Sequence, residues 1–184
     1  LLRQLSSTSN NGMLPDGAQS VESTVALIRG LFGFDGPVEM LAAARRAAEL
    51  ETDGNTRWYG VANTALGHAS YVAGDLTTAV GHLPRGAYSE AAPALIRVLA
   101  FSMLALTHAE LGQHDRSRKA AEEAMEIVET RSMHALPQIA LAFTALSSPL
   151  MAQSDHSSRS GYSGGASTSM NEPAGADYDN HSAS

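Results

Sequence analysis

The stretch Leu66–Ala79, LGHASYVAGDLTTA, decides the fold because it holds a complete bend between two helical patterns. Before Gly74, apolar and small residues recur three and four positions apart, as on one face of an α-helix. Gly74 can take the left-handed conformation that ends a helix, and Asp75 can accept hydrogen bonds from the first N–H groups of the next helix. The stretch therefore predicts a helix–turn–helix unit that bends at Gly74.

Similar helical patterns lie on both sides of this unit. Ser20 is the predicted cap of the first helix, and Pro37 suits the first position of the second. Pro84 is expected to halt the helix that follows Asp75, while Ser89 and Asp115 are expected to cap the two later helices. The predicted helices are VESTVALIRGLF, VEMLAAARRAAELE, TRWYGVANTALGHASYVA, LTTAVGHL, EAAPALIRVLAFSMLALTHAEL, RSRKAAEEAMEIVET and, from residue 136 to 153, LPQIALAFTALSSPLMAQ.

The composition narrows the class of protein. Aromatic residues make up 5% of the 184 residues, which disfavours a core of β-strands. With no cysteine, disulfides and thiolate metal sites are excluded, and we expect a cytoplasmic protein. A net charge of −7 disfavours direct contact with nucleic acid, whose phosphates require clustered Lys and Arg. No apolar run approaches the roughly 18 residues that span a bilayer, so no membrane contact is expected.

An internal repeat supports the helical prediction. Gly36, Gly74 and Gly112 are evenly spaced along the chain, and each lies between two helical patterns. A fixed period of helix–turn–helix units is the signature of an α-solenoid. A partial fourth copy aligns Leu146 with Leu66 and Ser154 with Gly74. Further matches at the interval of the three glycines are Ile28, Leu66 and Leu104; Arg29, Gly67 and Ala105; and Ala48, Gly86 and Ala124.

The composition divides the chain into three parts. Residues 1–19 are polar and form a predicted flexible N-terminal segment. Residues 20–153 contain all the predicted helices and form the helical-repeat domain. Residues 154–184 are rich in Ser and Gly and lack Leu, Ile, Val, Phe and Trp. Such a tail cannot bury enough apolar area to offset its ordering entropy, so it is predicted to be disordered.

The repeat resembles the tetratricopeptide repeat. Its hallmark residues match Leu66-Gly67, Gly74-Asp75 and Ala79, and match again at Leu104, Gly112 and Ala124. The interval from Gly74 to Gly112 exceeds the roughly 34 residues of the standard repeat. Longer repeats are typical of the helical domain in LuxR-type bacterial transcriptional regulators of the MalT-like group, and residues 20–153 resemble that domain. The resemblance implies an all-α solenoid of stacked antiparallel helix pairs that binds a protein partner or a small-molecule inducer.

Two modules of such regulators have no counterpart in this sequence. There is no G-x-x-x-x-G-K-[ST] run to cradle a phosphate and no basic recognition helix, so ATP hydrolysis and DNA binding do not transfer to this chain. The resemblance and the two missing modules together predict a fragment that has a signal-sensing role and binds no cofactor. The partner of the last helix is missing, which predicts self-association through that helix and suggests truncation or a shifted reading frame after residue 153. The alternative function is a free-standing adaptor that scaffolds other proteins.

The candidate binding site lies on the first helices of the repeat units. In a solenoid of helix pairs these helices commonly line the concave, partner-binding surface. Register places hydroxyl, imidazole, aromatic and carboxylate groups there, a suitable lining for a peptide or a small ligand. An ordinary solvated inner surface is the alternative interpretation. The predicted site residues are Thr64, His68, Tyr71, Ser102, Leu106 and Glu110.

Enzymatic and metal sites are not expected. The histidines lack the spacing of zinc ligands, and no H-E-x-x-H motif occurs. Ser70 lies near His68 and Asp75 in sequence, but it is mid-helix, without the strained turn and oxyanion donor that a nucleophile needs. A hydrolase that uses His68 or Ser70 is therefore the least favoured hypothesis, and no catalytic residue is assigned.

Overall fold

The computed structural model of the chain describes residues 13–137, 140–145 and 147. Within these residues the protein is all-helical, as predicted, and contains no β-strand. None of the described helices is both long enough and apolar enough to cross a membrane. Residues 140–145 are helical as well. The six helices before them are α1 (Val21–Phe32), α2 (Pro37–Leu50), α3 (Arg57–Val72), α4 (Leu76–Ala87), α5 (Ala94–Glu110) and α6 (His114–Thr130).

Polar caps fix the starts of three helices. Ser20 accepts a hydrogen bond from the N–H of Ser23 at the start of α1, as predicted. Thr56 does the same for Tyr59 in α3, and Asp75 for Thr78 in α4. Each cap satisfies an N–H group that has no partner inside its helix. The sequence therefore placed these helix starts within one residue.

Three local predictions were wrong. Pro84 lies inside α4, which continues to Ala87, because the proline removes only one hydrogen bond near the end of a helix that packs on both neighbours. Ser89 caps nothing; α5 starts five residues later, after Pro93. Asp115 lies in the first turn of α6, whose N-cap is Gln113.

The helices pack as three consecutive pairs. α1 packs on α2, α3 on α4, and α5 on α6, and the short connections make sequential helices antiparallel. Between pairs, α2 contacts α3 and α4 contacts α5. The first helices of successive pairs are also in contact, since α1 contacts α3 and α3 contacts α5. α5 is buried along most of its length, as its nearly uniform apolar sequence predicts. Ala142 and Ala145 join the core cluster of α5 and α6.

The turns after α3 and α5 share their hydrogen bonds, and the first turn has only one of them, because Gly33 is the C-cap of α1 and Gly36 is itself the N-cap of α2. Gly36, Gly74 and Gly112 all have positive φ, at 100°, 78° and 70°. Each donates its N–H to the carbonyl three residues earlier, at Gly33, Tyr71 and Ala109, over 3.1, 2.9 and 2.9 Å. These donors and acceptors recur with the even spacing found in the sequence. The conformation is one that glycine adopts without the Cβ penalty of other residues.

Close contacts within the pairs correct one detail of the repeat alignment. A Cβ on Gly67 would lie 2.5 Å from Cγ of Leu83, so α3 and α4 meet at this glycine. In the first pair the corresponding glycine is Gly30, where a Cβ would lie 2.9 Å from Cα of Ala44. The alignment of Arg29 with Gly67 is therefore off by one residue. The connection after α1 has four residues and that after α3 has three, so the two pairs differ in spacing.

Candidate functional site

Tyr71 and Glu110 are the two predicted site residues that the fold brings together. The Tyr71 hydroxyl donates to Oε1 of Glu110 over 2.5 Å, which joins α3 to α5 near the ends of both helices. Tyr71 is half-buried and Glu110 is exposed. The bond to the carboxylate, with a smaller effect of burial, raises the pKa of Tyr71 to about 12. This pair is a polar anchor between successive helix pairs, and it lies within reach of solvent.

Thr64 and Ser102 lie inside the core and not beside Tyr71 and Glu110 on the surface. Both are fully buried, and their hydroxyls donate to the carbonyls of Gly60 and Val98, four residues earlier in the same helix. Thr64 faces α4, because a Cβ on Gly86 would collide with the Thr64 hydroxyl. The expectation that these two residues line an open surface is therefore wrong. Bonding to the preceding turn satisfies a hydroxyl inside the core and removes it from any surface ligand.

His68 and Leu106 are intermediate cases. Both are partly buried, and Leu106 packs against the core of the second and third pairs. His68 Nδ1 has no hydrogen-bond partner, and burial lowers the pKa of this imidazole below its ordinary 6.5. Burial favours the neutral form of the His68 imidazole, so this side chain does not supply a positive charge at neutral pH. These two residues can contribute the apolar margin of a site around Tyr71 and Glu110.

Two buried polar networks were missed in the sequence. Asn63, which is 2% exposed, links α3 to α4 by contacting Nδ1 of His82 over 2.9 Å and donating to the carbonyl of Tyr59 over 2.9 Å. Glu51 is fully buried after α2, where its Oε1 accepts from the Ser23 hydroxyl and from the N–H of Gln19. The signal available in the sequence was a carboxylate directly after an apolar helix, but its partners are 28 and 32 residues away.

Glu51 also helps to hold residues 13–19, which the composition assigned to the flexible N-terminal segment. Ala18 in this segment is fully buried. The carbonyl of Asp16 accepts hydrogen bonds from Nη2 of Arg57 and Nε1 of Trp58, over 2.9 and 3.1 Å. The segment before α1 is thereby tied to the start of α3.

The geometry around Ser70 is that of a helix interior. Ser70 is fully buried and its hydroxyl has no hydrogen-bond partner. Asp75 accepts from the Thr78 hydroxyl over 2.6 Å, and this bond, with the backbone bond to the same residue, lowers the pKa of Asp75. Among residues 13–137, 140–145 and 147, no group of three or more His, Asp and Glu side chains is arranged to hold a metal ion.

An open groove of about 470 Å³ lies between α1 and α2. An ion pair between Arg46 and Glu22, 2.8 Å long, crosses from one helix to the other at this groove. Its lining residues are Glu22, Val25, Ala26, Arg29, Glu39, Ala42, Ala43 and Arg46. None of them was among the predicted site residues.

Fold and site together define the class of protein: an all-helical protein built from consecutive helix pairs. No protein-family model, curated protein or solved structure matches the chain. The predicted tail at residues 154–184, half of the predicted last helix and the fourth repeat copy at Leu146 and Ser154 lie outside the described residues.

Proposed function

We propose that residues 20–153 form a tetratricopeptide-like α-solenoid that binds a protein partner or a small-molecule inducer in the cytoplasm. The observation that carries this proposal is the turn hydrogen bond that recurs at Gly36, Gly74 and Gly112 with a constant interval. The contacts of α2 with α3 and of α4 with α5 support it, because stacked repeats bury their apolar faces against their neighbours. We assign no catalytic residue, cofactor or DNA contact to this segment.

The binding surface that we propose is centred on Tyr71 and Glu110, with Leu106 and His68 at its apolar margin. The pair spans two successive first helices, so a ligand that contacts both residues contacts two units at once. A phenol and a carboxylate offer one apolar face and two polar groups, a combination that suits a peptide or a small polar molecule.

Nuclear magnetic resonance of the ¹⁵N-labelled chain tests this surface. The probes are a library of small polar fragments and a set of short helical and extended peptides. We expect binders whose chemical-shift changes centre on Tyr71 and Glu110 and disappear in Glu110→Ala. Glu122→Ala, on the exposed side of α6, is the matched control and should bind like the parent chain. Shift changes that cluster elsewhere, or that survive in Glu110→Ala, would contradict the site.

The regulator and adaptor versions of the proposal differ in what adjoins the chain. The resemblance to LuxR-type regulators requires a nucleotide-binding loop before residue 20 and a helix-turn-helix after residue 153, in one reading frame. Reading the adjoining coding sequence tests this requirement directly. Stop codons on both sides, with no such modules, would favour the free-standing adaptor.

A further inference from the structure

A small open pocket of about 220 Å³ lies between the start of α5 and the end of α6. Glu110 is the last residue of α5, so this α5–α6 pocket and the Tyr71–Glu110 pair lie toward opposite ends of that helix. Four of the six residues that line the pocket are charged, two of each sign. The lining residues are Arg97, Glu123, Glu126, Ile127, Thr130 and Arg131.

The arginine that α5 contributes to the pocket is anchored but not neutralised. Arg97 is partly buried, and its Nε donates to the carbonyl of Ala87, at the end of α4, over 3.0 Å. Among the residues that the structure describes, neither Nη1 nor Nη2 of Arg97 has a hydrogen-bond partner. The guanidinium group is planar and forms paired hydrogen bonds to carboxylates, so its two free nitrogens suit such a ligand group.

The charged residues of the pocket are not paired with one another. Within residues 13–137, 140–145 and 147, no ion pair or hydrogen bond joins any two of the four. Other arginines of the chain do form ion pairs with its carboxylates, namely Arg29, Arg46, Arg57 and Arg118. Two cations and two anions therefore line one pocket without neutralising each other.

The charges are also sorted by sign along α6. Glu123 and Glu126 precede Ile127, whereas Arg131 follows it. Arg97 lies near the start of α5, which is adjacent to the end of α6 because the two helices are antiparallel. Ile127 is partly buried and packs against the core cluster of α5 and α6. The pocket thus has an acidic end, an apolar centre and a basic end.

We propose that the α5–α6 pocket binds a small zwitterion, specifically a free α-amino acid. The ammonium group pairs with Glu126, the carboxylate with the two arginines, and an apolar side chain lies on Ile127. Since the formal charges of the lining sum to zero, a ligand with one charge is attracted at one end and repelled at the other. A zwitterion meets the opposite charge at both ends. This proposal does not depend on the site centred on Tyr71 and Glu110.

Three forms of one amino acid test the proposal by nuclear magnetic resonance of the ¹⁵N-labelled full chain. Leucine is a zwitterion, leucinamide has only the ammonium group, and N-acetyl-leucine has only the carboxylate. We expect saturable shift changes centred on Arg97 and Ile127 with leucine, with a Kd of about 1 mM. Each analogue with one charge should bind about tenfold more weakly, because it loses its partners at one end of the pocket.

Two variants test the two ends separately. Glu126→Gln should weaken leucine by about two- to fivefold, the size of an exposed ion pair, and should not weaken N-acetyl-leucine. Arg131→Gln should weaken leucine by a similar factor and should not weaken leucinamide. Glu122→Gln, which changes an exposed glutamate of α6 outside the pocket, is the matched control and should bind leucine like the parent chain.

Several outcomes would overturn the proposal. They are no saturation by about 10 mM leucine, equal affinity for the three compounds, shift changes centred away from Ile127, and equal effects of Glu126→Gln and Glu122→Gln on leucine binding. Tighter binding of N-acetyl-leucine than of leucine would assign an anion site and would equally overturn it. None of these results bears on the Tyr71–Glu110 site, because the two sites share no residue.

Discussion

At the scale of single residues, the hydroxyl and carboxyl groups show what spacing alone can and cannot predict. The repeat interval correctly placed Thr64 and Ser102 at equivalent positions of two first helices. It did not show which neighbouring helix these two residues face. The close approach of Gly86 to Thr64, which leaves no room for a Cβ on Gly86, shows that Thr64 faces the second helix of its pair. Tyr71 and Glu110 were predicted as site residues, yet their direct bond joins residues 39 apart on different helices and required the fold.

Titration of Tyr71 tests the strongest of these contacts. Because the bond to Glu110 is the main cause of its raised pKa, Glu110→Gln should lower the pKa of Tyr71 from about 12 toward the ordinary 10.0. The resonance of Cζ in ¹³C-tyrosine-labelled protein follows each phenol separately. In the parent chain the Tyr71 signal should hold its position up to about pH 11, one unit below that pKa. Identical titration curves for both proteins would contradict the contact.

His68 makes folding stability depend on pH. Burial lowers its pKa in the folded chain, so on acidification the unfolded chain binds the proton first. This contribution to stability is complete above about pH 6.5 and is lost as the pH falls below that value toward the folded pKa. The equivalent positions in the other pairs carry Leu31 and Leu106, so His68→Leu suits the site.

Urea unfolding followed by circular dichroism between pH 5 and 8 measures this effect. We expect the stability of His68→Leu to fall less steeply on acidification than that of the parent chain. Some pH dependence should remain, because burial also lowers the pKa of His82 and His108. Parallel curves for the two proteins would show that His68 does not contribute.

At the scale of the helices, the starts of α1, α2 and α4 were predictable from the sequence, whereas the start of α5 and the end of α4 were not. Ser20, Asp75 and the glycines after the first helices act locally, so their roles can be inferred from neighbouring residues. Pro84 misled the prediction because its local cost is offset by contacts from α3 and α5, which local sequence does not reveal. The same limit explains the late start of α5, where Pro93 and not Ser89 precedes the first turn.

Two glycines inside helices should respond oppositely to alanine. Gly81 in α4 is exposed and has no atom within 4 Å of an added Cβ, so Gly81→Ala should stabilise the protein by about 0.5–1 kcal/mol. Gly67→Ala drives a Cβ into Leu83, and we expect a net loss of roughly 1–3 kcal/mol from overpacking. Chemical unfolding measures both. Stabilisation by both substitutions would show that α3 and α4 are not in close contact at Gly67.

At the scale of the whole molecule, a repeat array should tolerate the loss of one period. Deleting residues 67–104 joins Leu66 to Ala105, which occupy consecutive repeat positions, and removes one whole repeat unit. We expect a helical protein that unfolds cooperatively at lower urea concentration, since stability in such arrays is roughly a sum of unit and interface contributions. Circular dichroism and urea titration measure this.

The control deletes residues 67–100, which removes less than a whole period and breaks the register. It should not fold cooperatively, because small residues no longer face their partners across the pairs. If the one-period deletion is unfolded, or if both deletions behave alike, the repeat architecture is wrong.

The two ends of the helix array are built differently. At one end the tight turns at Gly36, Gly74 and Gly112 are fixed by backbone hydrogen bonds and by positive φ. At the other end six-residue connections join successive pairs, and residues 52–55 in the first of them are all exposed. Guest domains or affinity tags grafted at Gly54 should leave the host helices intact, whereas the same grafts at Gly74 should disrupt them. Lineages that diversify such a scaffold by acquiring new segments are expected to do so at this open end.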